Sequence, residues 1–331
     1  MHRTSTPRPT SGTSRGPRRA VRALAALAAA GALAAGTAAP SAADDEHRPQ
    51  EQTLQTSPFT GLPADPAPVL AVKMDNHADA RPHTGLERAD IVVVEKVEGG
   101  LSRLIGVYAS DLPEAVGPVR SAREYNVEQL RTFDRPALAY SGAREAVVDL
   151  IKKSPLHGIS HDDHPAPYFR GGDNEAPHNL YLRPEQALAL APEASLSDDI
   201  GYRFGDKPKG GEPTEEHTVN YGRSETSFTW SAKEKRWLAS FDGEPAKSTG
   251  GARLGGTTVI VQKTDMPPDS SGKTPYIKTV GSGPATVLRD GHAFETTWKR
   301  PDAEAGTTFT LPNGDRMPFD PGQTWVVYEE R

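Results

Sequence analysis

Thirty prolines and 31 glycines punctuate the 331 residues, and they set the scale of what this chain can build. Proline fixes φ and removes an N–H, while glycine admits conformations closed to other residues. A chain broken this often folds into short strands and helices joined by many turns, with a loop-rich surface.

The apolar runs between those breaks fall into two patterns. In the first, Val69 to Met74 is a buried-strand run ending at Asp75-Asn76, and Ala89 to Val97 and Leu101 to Tyr108 are two more, joined at Glu98-Gly99-Gly100 as a tight hairpin. Ser121 with Glu124 three residues on has the spacing of a capping box, which predicts a helix from Ala122 to Phe133. Ala137 to Tyr140 reads as a strand, and Arg144 to Lys153 has the apolar spacing of an amphipathic helix. Residues 154–179 show no period, and a short helix follows with Pro184 in its first turn. This alternation predicts an α/β domain, a sheet flanked by helices, over 58–194. A polar, Gly/Pro-rich stretch at 195–216 reads as a linker. Beyond it come only strand-like runs, with Asp290-Gly291 and Asn313-Gly314 as hairpin turns, so 217–331 is expected to be a smaller all-β domain in which Trp298 and Trp325 are core aromatics.

Residues 1–43 are expected to lie outside the fold. They hold six arginines and no acid, then an Ala/Leu/Gly run from Ala23 to Ala39 and a small-residue exit at Ser41-Ala42-Ala43. That is the pattern of an export signal, with cleavage after Ala43. Residues 44–57 read as a disordered spacer. Without the leader, 32 basic residues face 44 acidic ones, about −12 in net charge, which argues against nucleic acid as a partner. With no cysteine there is no disulfide, no thiolate metal site and no lipidated Cys. The expected product is secreted, without stable membrane insertion once the signal is removed.

Candidate chemistry gathers in the first domain. A helix start at Ala122 would carry partial positive charge, and Arg120 and Arg123 beside it call for an anion: either a bound carboxylate, sulfate or phosphate, or an acid of the chain such as Glu98 or Asp90. Asp75, after the first strand, is a candidate catalytic base or a ligand for a divalent metal such as magnesium, and Asn76, Arg81, Arg120 and Arg123 are candidates to clamp phosphoryl oxygens. Turn capping by Asp75 and Asn76 is the competing reading. His178 is the candidate acid/base, with Asn179 as a further donor, against a rigid loop held by backbone bonds. His157, His161 and His164 have the i, i+4, i+7 spacing of metal ligands on a helix, which Gly158 and Pro165 oppose.

Several of these segments together resemble a family. Met74-Asp75-Asn76-His77 to Arg81-Pro82, Ala89-Asp90-Ile91-Val92, Glu98-Gly99-Gly100 with Arg103, Gly117-Pro118-Val119-Arg120-Ser121-Ala122-Arg123, and Ala176-Pro177-His178-Asn179-Leu180-Tyr181 look like the YerB-like envelope lipoproteins, a family of unknown biochemical function. The resemblance runs from about Pro58 to the C-terminus, where Asp290-Gly291, Trp298 and Pro321-Gly322-Gln323-Thr324-Trp325 continue it. It adds Arg103 to the candidate ligand-binding residues. The chain departs from the pattern in lacking the lipidated Cys and in having His83-Thr84 where a Gln-Ser pair is expected. A fainter likeness, at Asp75, Arg81 and Arg120, is to the LytR-CpsA-Psr ligases, which attach polymers to the cell wall. The resulting expectation is an envelope protein that binds an anionic, phosphorylated or pyrophosphate ligand or cell-wall component, with transfer or hydrolysis as its chemistry. The alternative is a non-catalytic envelope binding or scaffold protein.

Overall fold

The computed structural model describes residues 55–331. The export signal and the spacer up to residue 54 lie outside the described residues. Among the described residues no helix is long and apolar enough to cross a membrane.

The N-terminal half supplies β1 (Leu70–Asp75), β2 (Ile91–Lys96), β3 (Ser102–Tyr108), β4 (Ala137–Tyr140), β5 (His157–Ser160), β6 (Tyr168–Arg170) and β7 (Leu180–Leu182), with helices α1 (Asn126–Leu130), α2 (Glu145–Lys153) and α3 (Pro184–Leu188). Every regular element after α3 is a strand: β8 (Glu212–Pro213), β9 (Glu216–Asn220), β10 (Glu225–Ser231), β11 (Arg236–Phe241), β12 (Glu244–Pro245), β13 (Gly255–Gly256), β14 (Thr258–Thr264), β15 (Gly281–Arg289), β16 (His292–Arg300), β17 (Thr308–Thr310) and β18 (Thr324–Glu330). Asp290 and Gly291 turn between β15 and β16 with φ of 48° and 69°, the left-handed pair that a two-residue hairpin demands.

One sheet runs through both halves in the order β17-β16-β15-β14-β18-β2-β3-β1-β4-β5, with β8 paired to β16. Its seam is β18 against β2, parallel, with Thr324 opposite Ile91 and Val327 opposite Val94. β1 is buried at all six positions, because its two faces meet different cores. Leu70, Val72 and Met74 face a core shared with Phe228, Trp237 and Trp325, whereas Val69 and Ala71 face one shared with Tyr125, Leu130, Val147 and Ile151.

The expected helix-flanked sheet is corrected in one respect. Helices cover part of the sheet only, being five, nine and five residues long. Strands β9 to β13 form a second sheet whose Phe228 and Phe241 rings pack on Trp325 at centroid separations of 5.4 and 6.3 Å. Trp298 and Trp325 are core residues, both almost fully buried.

Candidate functional site

Strand register makes the site. Asp75, the last residue of β1, stands directly opposite Arg103 of β3, and on the other side of β3 Arg103 stands opposite Glu95 of β2. The segment 116–120 then runs extended along β1. Asp75 N–H donates to Pro118 O at 2.9 Å and Arg120 N–H to Lys73 O at 2.8 Å, while Val119 N–H reaches across to Leu180 O of β7 at 2.6 Å. That one segment therefore brings Arg120 and the residues just before β7, His178 among them, to the end of β1. Gly117 permits the approach, since a Cβ there would sit 2.6 Å from the Tyr181 ring.

Four nitrogens surround the buried Asp75 carboxylate. His77 N–H donates to Oδ1 at 3.1 Å and His178 Nδ1–H to Oδ2 at 2.8 Å, while Arg103 Nη1 lies 3.3 Å from Oδ1 and Arg120 Nε 3.2 Å from Oδ2. Burial alone would raise this acid, but Arg103, the His77 amide, His178 and Arg120 outweigh it and hold the carboxyl below its ordinary range. A carboxylate offers about four lone-pair directions, and here each oxygen already has two nitrogens. Asp75 is thus placed to orient its neighbours. The backbone carbonyl of the same residue accepts from His83 Nε2 at 2.8 Å. Burial, with Arg81 adding to it, drops the His83 pKa to about 4.

The other candidates separate clearly. Lys73 pairs with Glu95 inside the sheet, both fully buried, and burial draws the Lys73 ammonium down to about 8 against the pull of that glutamate. Arg123 grips Glu98 with two hydrogen bonds of 2.8 and 2.7 Å, so its anion comes from the chain itself. Burial raises Glu98, but the bonds from Arg123 and from Thr274 overcome this and hold it at about 2. A cavity of about 320 Å³ opens beside that pair, lined by Ser121, Ser141 and Arg144 as well. Arg81 bonds Asn76 O and Asp242 Oδ2, each at 2.7 Å, and Asn76 donates to Ser102 Oγ at 2.9 Å. Asn179 accepts from Arg170 at 2.6 Å instead of reaching Asp75.

Two expectations fail for reasons of backbone pairing. The helix expected from Ala122 starts only at Asn126, with no side-chain cap, because 117–120 is already paired on both edges. Ser121 Oγ instead lies 3.4 Å from Ser141 Oγ, and Glu124 accepts from Ser270, so there is no capping box and no helix end for Arg120 and Arg123 to crowd. His157 lies on strand β5, paired to β4, which removes the helical spacing that would have aligned it with His161 and His164.

The residues that sequence reading passed over are His77 and Asp79. The His77 ring stacks on that of His178 at a centroid distance of 4.9 Å, and its Nδ1 lies 3.3 Å from Asp79 Oδ2. Only the His-x-Asp spacing hinted at this, since the third member lies far along the chain. The arrangement leaves His178 oriented: with Nδ1–H held by Asp75, Nε2 carries the lone pair and is free to take a proton or a metal ion.

Comparison with known proteins agrees with this fold. A Bacillus subtilis (strain 168) protein named as a lipoprotein, YerB, is 26% identical over 287 residues, 82% of this chain and 85% of its own length. The crystal structure of YerB protein from Bacillus subtilis superposes with a TM-score of 0.73 at 24% identity, covering 83% of this chain and 96% of that one, which fixes the fold. Residues 59–197 match the N-terminal domain, and residues 217–326 the C-terminal domain, of the protein of unknown function DUF3048; the chain belongs to that family.

Proposed function

We propose that the protein works outside the cytoplasm in the cell envelope and binds an anionic ligand, phosphorylated or pyrophosphate in kind, at Asp75, Arg103, Arg120 and His178. The location follows from the export-signal pattern of residues 1–43 and from the lipoprotein name of its relative.

The observation that carries the ligand reading is an uncompensated cation. Lys73 is matched by Glu95, Arg123 by Glu98 and Arg81 by Asp242, but Arg103 and Arg120 share the single carboxylate of Asp75. One positive charge is left over. Arg103 Nε is buried with no partner, and the Arg120 side chain remains 26% exposed, so a ligand can reach the cluster from solvent. An anion placed there neutralises the surplus through charge-assisted hydrogen bonds. His178, oriented by Asp75, is positioned to move a proton on such a ligand, which makes transfer or hydrolysis the chemistry to assay.

The scaffold reading has its own support, since two of the candidate arginines, Arg81 and Arg123, are saturated by acids of the chain. Titration calorimetry with phosphate and pyrophosphate separates the two. Binding at low millimolar concentration or better is expected; a protein that gives no heat with either, and whose thermal unfolding neither shifts, is a scaffold.

A further inference from the structure

We propose that His77, Asp79 and His178 form a binding site for a divalent transition metal of the zinc class, with Asp75 as its outer-sphere orienting group. Among the described residues this is the one group of three or more His, Asp or Glu whose ligand atoms converge, all lying within 4.8 Å of one another. Within it His77 Nδ1 and Asp79 Oδ2 are 3.3 Å apart. Ligand atoms around a tetrahedral ion with zinc-like bonds of roughly 2.0 to 2.1 Å stand about 3.3 Å from each other. The third member needs to close in by about an ångström or so, and the side chains that must adjust are free to do so, with His77 39% and Asp79 72% exposed.

Two further features point the same way. His178 Nδ1–H is held by Asp75, so the ring presents Nε2 as a lone pair in the required tautomer; a carboxylate behind a ligating imidazole is the usual second-shell arrangement. The Asp79 carboxylate faces the same His77 nitrogen that accepts the Asp79 N–H in a long 3.3 Å bond. Two acceptors so close repel unless a cation lies between them, and the long bond is cheap to surrender. A two-nitrogen, one-oxygen set suits zinc better than magnesium, and three protein ligands leave a position open for water or an anion.

The test uses full-length, chelator-stripped protein without phosphate, titrated with zinc by calorimetry and with cobalt(II) by its visible absorption. One ion per chain and a tetrahedral cobalt spectrum are expected. His77→Ala and Asp79→Asn should each weaken zinc binding about tenfold or more, in line with losses seen when metal sites are disturbed. Asp79 is exposed, so Asp79→Asn keeps the fold intact, and unchanged metal-free unfolding confirms it. His178→Ala should abolish the cobalt spectrum. Absence of zinc binding, undiminished binding by both His77→Ala and Asp79→Asn, or loss only in a His161→Ala/His164→Ala control would overturn the proposal. Because no phosphate is present, the outcome is independent of the anion-binding reading.

Discussion

Both halves of the molecule bury arginines, and they satisfy them in opposite ways. In the C-terminal half Arg300 donates to the backbone oxygens of Glu128, Ala303 and Ala305, and Arg289 to those of Gly205 and Pro318, with the Asp290 carboxylate on its Nε. Those guanidiniums are clips: each ties loops and a neighbouring element to the sheet through backbone carbonyls. In the N-terminal half Arg103 and Arg120 converge on one carboxylate, and one guanidinium nitrogen is left without a partner. A buried cation answered by carbonyls, or by an acid it does not share with a second buried cation, has a finished structural role. One that shares an acid with a second cation has spare capacity, which is where a ligand gains most.

The sharpest way to break this comparison is to remove a clip. Arg300→Met removes three charge-assisted hydrogen bonds, although Ala305 O keeps Thr132 Oγ1, so a loss of about 3 kcal/mol or more is expected in urea unfolding. Phosphate binding, measured under conditions where the variant is folded, should be unchanged. If Arg300→Met lost phosphate affinity while keeping its stability, the division between clip and site would be wrong.

A second test is by pH, at the base of the Asp75 cluster. His83 in the folded chain has its pKa near 4, against an ordinary value of 6.5. As pH falls through 6.5 the unfolded chain takes up a proton that the folded one refuses until about pH 4. Stability is therefore full above 6.5 and lost across that window, by about 3 kcal/mol in all. Glutamine can donate from its own Nε2 to the Asp75 carbonyl and does not titrate. His83→Gln, the residue that the family pattern leads one to expect there, should fold and should flatten the pH 6.5 to 4 limb of the stability profile. An unaltered limb would show that another group drives it.

The strands of the N-terminal half were legible as apolar runs and Asp75 as a polar residue at the end of one, whereas Arg120 was singled out through a helix start that does not form and His178 as an acid/base in an irregular segment. The helix at Ala122 was misread because a capping box is a local signal. The backbone of 117–120 is claimed by β1 and β7, distant in sequence, and tertiary pairing overrides local propensity. The second sheet over Trp325 was invisible for a related reason: short alternating runs show which residues face inward but not which element lies across from them. Whether Arg123 or Arg120 was the spare cation depended on where Glu98 pointed, which spacing alone does not encode.

The smallest expected effect on stability is also the most informative. Arg120→Gln removes one of two guanidiniums from Asp75, whose carboxylate keeps Arg103, His178 and the His77 amide. The lost ion pair is partly exposed and the remaining cations repel less, so the change in unfolding free energy should be about 1 kcal/mol or less. Phosphate or pyrophosphate affinity should nevertheless fall by about tenfold or more, because a charge-assisted bond to an anion contributes on the order of 1.5 to 3 kcal/mol. Arg123→Gln supplies the contrast. It strands Glu98, whose carboxyl is held near 2 chiefly by that same arginine, so stability should drop at and above about pH 4.5, and the acid loss of stability that the parent shows between about pH 4.5 and 2 should flatten, while phosphate affinity stays. Equal losses of affinity in the two variants would mean that the surplus charge is spread over the whole cluster, and the anion would then have to be sought at the cavity beside Arg123.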